Sequence, residues 1–219
     1  GLFENVYDYD VVSYYPSMML CHGIRPHLFG DKWTEVFSSL VEERLTAKRN
    51  GDKMKADSLK LVINSAYGKL NDKYSAFLDP KAQLSVTVTG QFLLLKLIEM
   101  MTEAGILVIG ANTDGIQVQT DDKQLTDQIA QEWMDQTGLV LEDSHFKSLI
   151  REHGNSYIAI PASGDPKLKG GFKTKGKPSY NIIKIAVNEH FINGTEPSIT
   201  INNSPHLHNF IDCYSATKN

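Results

Sequence analysis

The sequence predicts an α+β fold built on a largely antiparallel sheet. Three observations carry that reading. The pattern runs strand, helical hairpin, helix, β-hairpin, helix, β-hairpin, helix. Asp-Gly lies between two apolar runs in ILVIGANTDGIQV, residues 106–118, a strong hairpin signal because a tight primed turn needs positive φ and Gly adopts it freely. SYIAI at 156–160 and LKGGF at 168–172 are placed to pair across PASGDPK.

The elements follow in order. Residues 5–12, NVYDYDVV, alternate as a strand, with Val6, Asp8 and Asp10 on one face and Tyr7, Tyr9 and Val11 on the other. Pro16 cannot continue a ladder, so SYYPSMM turns or starts a helix. Residues 34–49 read as a helix that stops at Asn50-Gly51, and 53–70 as a second; the short turn between them makes an αα-hairpin. A helix at 87–104 precedes the β-hairpin. Another at 122–137 carries Leu125, Ile129 and Trp133 on one stripe, and a last helix spans about 178–192, closing at Asn193-Gly194. No repeat or low-complexity segment is present.

Composition narrows the class. The chain has 219 residues, 41% hydrophobic and 22% charged, which is ordinary for a globular protein. No apolar run approaches the roughly 20 residues of a bilayer span, since Lys96 and Glu99 interrupt FLLLKLIEMM. No membrane association and no signal peptide are expected. Cys21 and Cys213 form neither a disulfide framework nor a zinc spacing, so an intracellular setting is expected. His206 and His208 read as a solvated loop, and the Asn-x-Ser/Thr matches at Asn193 and Asn202 as chance. The first residue, Gly1, and the unfinished pattern at the end suggest a fragment of a longer protein.

A net charge of −4 argues mildly against a nucleic-acid binder. Its distribution argues the other way. Residues 165–184 hold six Lys (167, 169, 173, 175, 177, 184) against one Asp, and 42–60 hold six Lys or Arg against four acids. Basic segments on an acidic body suit a groove that grips phosphates, and equally suit solvated faces. GFKTKGKP at 171–178 mimics a P-loop but has Pro178 where a hydroxyl should hold Mg²⁺, which excludes a P-loop ATPase.

Asp114 reads either as turn chemistry or as a carboxylate offered to a metal. The second reading requires a partner acid, because hard cations are usually held by more than one oxygen ligand. Three segments supply a context: DVVSYYPS at 10–17, KLVINSAYG at 60–68 and ANTDG at 111–115. Together they resemble the family B (alpha-like) DNA polymerases of the bacteriophage type. The family's first motif, D-x-x-S-L-Y-P-S, is matched by Asp10, Ser13, Tyr15, Pro16 and Ser17. Its second, K-x-x-x-N-S-x-Y-G, is matched by Lys60, Asn64, Ser65, Tyr67 and Gly68. Its third, D-T-D-S, appears as Asn112, Thr113, Asp114 and Gly115, so Asn112 stands where the first acid is usual.

The resemblance implies a polymerase palm at 1–38 and 73–175, a fingers hairpin at 39–72 and the start of a truncated thumb at 176–219. It implies a template-directed DNA polymerase core that adds deoxyribonucleotides to a primer 3′-hydroxyl in viral DNA replication, in the cytoplasm of a bacterial host. Two Mg²⁺ ions are the expected cofactors. Asp10 and Asp114 are the expected catalytic acids, joined as metal ligands by the Val11 carbonyl. Asp8 is left as a surface or supporting acid. Nucleotide binding falls to Ser13, Tyr14, Tyr15, Lys60 and Asn64, with Tyr15 as a steric gate against the 2′-hydroxyl. Arg44 and Lys48 join them, four residues apart on one helix face. Primer-template DNA would meet Tyr67, Gly68, Thr113, Lys169 and Phe172. The expected partners are that DNA, deoxynucleoside triphosphates and the rest of the parent chain. The competing class is a catalytically silent nucleic-acid-binding module on a palm-like sheet.

Overall fold

The computed structural model describes residues 1–173 and 180–212. Lys175, Lys177, Cys213 and the first two residues of the expected last helix lie outside these. Six strands form one sheet in the order β2-β3-β1-β4-β5-β6, and every neighbouring pair is antiparallel. The strands are β1 Leu2–Val11, β2 Leu107–Ala111, β3 Gly115–Gln119, β4 Leu141–His153, β5 Ser156–Pro161 and β6 Lys167–Lys169. The helices are α1 Tyr14–Cys21, α2 Gly30–Arg49, α3 Lys53–Gly68, α4 Pro80–Glu103, α5 Lys123–Thr137, α6 Asn181–Asn193 and α7 Pro197–Asn202.

Local chemistry explains the boundaries. Asp52, Asp79 and Asp122 cap α3, α4 and α5 by accepting from the backbone N–H three residues on, satisfying donors that a helix start leaves free. Pro80 occupies the first turn of α4, where no N–H is missed. Gly51, at φ 74°, makes the sharp reversal that stands α2 and α3 side by side. Pro16 falls in the first turn of α1, so the chain enters a helix directly after β1.

The sheet has two unlike faces. One packs under α1, α4 and α5, where Tyr9, Val11, Ile116 and Val118 meet Met18, Leu97, Met101 and Trp133. The Trp133 indole N–H donates to the Leu93 carbonyl at 2.8 Å, tying α5 to α4. The other face carries a smaller cluster of Val6, Phe146, Leu149, Tyr157 and Ala159, and beside it the acids of β1. Asp8 is buried at 4% exposure, so the expectation of a surface acid fails and a supporting place behind Asp10 remains.

Two further expectations are corrected and one strand is added. LKGGF is not all strand: β6 pairs with β5, and Gly170–Phe172 coils into a 3₁₀ turn. β4 joins β1 to β5 as a long strand, although its polar sequence gave no clean alternation. α4 begins at Pro80 and, by length and composition alone, is apolar enough to cross a membrane. It is nonetheless a core helix, because Val86, Leu94, Leu97 and Met101 are buried within the protein.

Candidate active site

A cleft of about 610 Å³ lies between the end of β1, the β2–β3 turn and the α2–α3 hairpin. Its lining brings together Asp10, Val11, Ser13, Tyr14, Tyr15, Arg44, Lys48, Lys60, Asn64, Thr113 and Asp114 from three separate stretches of chain. The floor is the junction of β1 and β3. Asp10 is paired with Gly115, and the Val11 N–H donates to the Asp114 carbonyl at 2.7 Å. Adjacent strands therefore hold Asp10 and Asp114 side by side.

The expected turn geometry is replaced by another. Gly115 does not adopt positive φ. The Asn112 side-chain oxygen instead accepts from the N–H of Asp114 at 3.0 Å and of Gly115 at 2.7 Å, an Asx turn. Gly115 is needed for space: a Cβ there would lie 2.5 Å from the Tyr9 carbonyl oxygen and 3.0 Å from Asp10 Cα.

The electrostatics suit a divalent cation. Burial, and next the Asp114 carboxylate, raise the Asp10 pKa, while Lys167 and Lys169 pull it down. Two neighbouring carboxylates with a carbonyl beside them form an all-oxygen donor set of the kind Mg²⁺ takes. Among the described residues no group of three or more His, Cys, Asp or Glu gathers into a metal cluster. Mg²⁺ commonly needs only one or two carboxylates, with water and phosphate completing its shell.

The cations line the opposite wall. Arg44 donates through Nη1 to the Ser13 hydroxyl, and its buried Nε has no partner. Lys48 lies 3.0 Å from Glu142, and Lys60 is exposed on α3. Ser13 is left-handed, at φ 49°, a costly backbone for a non-glycine residue, and it turns the chain from β1 into α1 above the acids. The Tyr15 ring stacks on Tyr67 with centroids 4.0 Å apart and planes 5° apart. Tyr67 is anchored in turn by its hydroxyl contact with Thr87 at 3.1 Å.

Tyr14 lines the cleft with a ring that is largely part of the main core, at 6% exposure; it packs on the bare backbone of Gly90 in α4, and its hydroxyl has no partner. Other expected residues fall elsewhere. Tyr67 and Gly68 lie beyond the cleft lining, at the end of α3. Lys169 stands on edge strand β6, 5.8 Å from the Tyr157 ring, and Phe172 lies in the turn after it. Neither lines the cleft.

Sequence reasoning missed Glu142, which faces Asp10 across the β1–β4 ladder and lines the cleft. It also missed a polar layer behind the acids. Arg151 donates to the Ile109 carbonyl at 2.9 Å and to Gln117 at 3.1 Å. Gln117 favours the charged form of the Asp8 carboxyl, and Lys167 lies 3.8 Å from Asp8. Strand register could have found Glu142 only once β4 was recognised.

Asp8 yields a pH prediction. Burial, then the Asp10 carboxylate, push its pKa up from 3.8 to about 6. Between those values the folded state holds a proton that the unfolded chain releases, so the contribution of Asp8 to stability is fully present below about pH 4 and is lost as pH rises through about 6. Asp8→Asn is expected to flatten that dependence in urea melts at pH 4.5 and 7. An unchanged difference between the two pH values would contradict the assignment.

Comparisons with known proteins fit this geometry. No family model matches the chain. DNA polymerase II of Escherichia coli is 27% identical over 138 residues, which cover 52% of this chain and 18% of that protein. DNA polymerase 2 of Saccharolobus solfataricus is 25% identical over 201 residues, covering 84% of this chain and 32% of that one. The chain is similar in sequence to DNA polymerases. In fold it matches the family B DNA polymerase of the hyperthermophilic archaeon Pyrobaculum calidifontis, with a TM-score of 0.64, 18% identity and coverage of 86% of this chain and 29% of that one. The chain thus spans less than a third of the length of these polymerases.

Proposed function

We propose that this chain is the catalytic core of a template-directed DNA polymerase that adds deoxyribonucleotides to a primer 3′-hydroxyl. One observation carries the reading: the cleft sets Asp10 and Asp114 on its floor against Arg44, Lys48 and Lys60 on its wall. Phosphoryl transfer asks a protein chiefly for positioning and charge stabilisation, and this arrangement offers both. In this reading residues 1–38 and 73–175 are palm, 39–72 fingers and 176–219 the beginning of a thumb. The phage type, and with it viral replication inside a bacterial cell, rests on the motif resemblance alone.

The chain's own residues have distinct tasks in this mechanism. Asp10, Asp114 and the Val11 carbonyl would hold two Mg²⁺ ions. When bound, these would acidify the primer hydroxyl and neutralise charge on the triphosphate. Arg44 offers a planar fork to phosphate oxygens, while Lys48 and Lys60 act as point charges. Lys48 must leave Glu142 to do so, an exchange that costs little because that ion pair is exposed. Tyr15, stacked flat on Tyr67, presents a rigid wall beneath the sugar. Tyr15→Ala is expected to lower discrimination against ribonucleotides by at least about tenfold, since one excluded group is worth that much or more. Equal discrimination in single-nucleotide incorporation would remove the gate from Tyr15.

The test is primer extension with Mg²⁺, using this chain and the longest parent chain, on two templates of different sequence. Products dictated by each template support the reading. A parent chain that binds primer-template and adds nothing supports the silent binding module.

A further inference from the structure

Asn112 stands where the resembling motif has an acid, and the structure assigns it a task of its own. We infer that residue 112 is a positioning residue: its side-chain oxygen builds the turn that aims Asp114 at Asp10, and it is not a missing metal ligand. The inference rests on the reading of Asp10 and Asp114 as a metal-binding pair.

Four hydrogen bonds carry it. The Asn112 side-chain oxygen accepts from the N–H of Asp114 at 3.0 Å and of Gly115 at 2.7 Å. An amide oxygen has two lone pairs, so both are engaged inside the turn and none is left for a cation. The Asn112 N–H donates to the Gly115 carbonyl at 3.0 Å and closes the loop from the other side. The carbonyl of Asp114 in turn accepts from Val11 at 2.7 Å. The Asp114 peptide is thereby fixed at both ends: its N–H by Asn112, its carbonyl by the strand that carries Asp10. Its carboxylate leaves a backbone that cannot rotate without breaking one of these bonds.

A carboxylate at 112 could accept the same two N–H groups. Its charge would then be spent on the turn amides, so exchanging Asp for Asn keeps the geometry. That accounts for a neutral residue at this place beside an intact Asp10, Lys60 and Asn64. An alanine would keep the chain length and lose both acceptor contacts, freeing the Asp114 and Gly115 amides.

The test uses the whole chain with Mn²⁺ alone as probe, read by electron paramagnetic resonance, and metal-free hydrogen exchange at the Gly115 amide. Circular dichroism confirms folding of each variant. Asn112→Ala is expected to weaken Mn²⁺ binding by about tenfold and to speed Gly115 exchange by a similar factor, the scale set by losing one or two hydrogen bonds. Asn112→Asp is expected to restore both to within about threefold of the parent protein, since the acceptor contacts return. Asp114→Ala should abolish binding. If Asn112→Ala binds and exchanges like the parent while Asp114→Ala does not bind, residue 112 does no positioning and the inference falls. If Asn112→Asp binds more than about tenfold tighter, residue 112 is a lost ligand and the inference falls for that reason. Undiminished binding by Asp114→Ala overturns the metal reading itself, a separate failure that takes the inference with it.

Discussion

Asp114→Ala is expected to abolish primer extension, by roughly 10²–10³-fold or more, while primer-template binding changes little. The magnitude follows from the site's geometry. Asp114 and Asp10 meet at the β1–β3 junction, and no third acid gathers with them into a metal cluster among the described residues. Removing one carboxylate halves the formal charge available to metal ions, and removal of a single preorganised electrostatic group already costs on that order in turnover. DNA affinity should persist, because Tyr67, Gly68, Lys169 and Phe172, which would meet primer-template, lie outside the cleft lining. Single-turnover incorporation and a filter-binding assay separate the two effects. Extension at the parent rate would return Asp114 to the role of a turn residue.

Gly115→Ala is expected to damage fold and site together. The added Cβ would lie 2.5 Å from the Tyr9 carbonyl oxygen and 3.0 Å from Asp10 Cα. Both are backbone atoms of the central strand, so no rotamer change relieves the clash and β3 must move away from β1. Forcing an extra carbon into a packed position costs about 1–3 kcal/mol, and a backbone clash belongs at the upper end. For a chain of this size that corresponds to a fall in melting temperature of roughly 6–12 °C. Because the displaced strand carries the turn, Asp114 would be drawn away from Asp10 and extension should fall with stability. A variant that melts within about 2 °C of the parent and extends normally would contradict the close-packed junction.

Much of this was legible in the sequence, for a physical reason. Each motif is local, and each local stretch lies on one element. Asp10 ends a strand, Lys60 and Asn64 share a helix face one turn apart, and Asp114 sits at a turn, so recognising the three stretches placed the cleft. What escaped depends on register between distant strands. Glu142 faces Asp10 only because β4 pairs with β1 at that offset, and nothing in LEDSHFKSLIREH marks the offset. The Arg151–Gln117–Asp8 layer likewise needs β2, β3 and β1 to be aligned before it exists. Of the two rings of SYYPS, Tyr14 is the buried one, and the bare backbone of Gly90 on which it packs lies far along the chain. The turn was misread because Asp-Gly has a strong habit of its own, and the Asn112 side chain overrides it.

The most direct measurement is Mn²⁺ anomalous scattering from a crystal of the parent chain with primer-template and a non-hydrolysable deoxynucleotide. The account predicts metal peaks at about 2.0–2.2 Å from carboxylate oxygens of both Asp10 and Asp114, with Asn112 still turned into its hairpin. Metal bound away from those two acids, or no metal beside a correctly seated nucleotide, would contradict it.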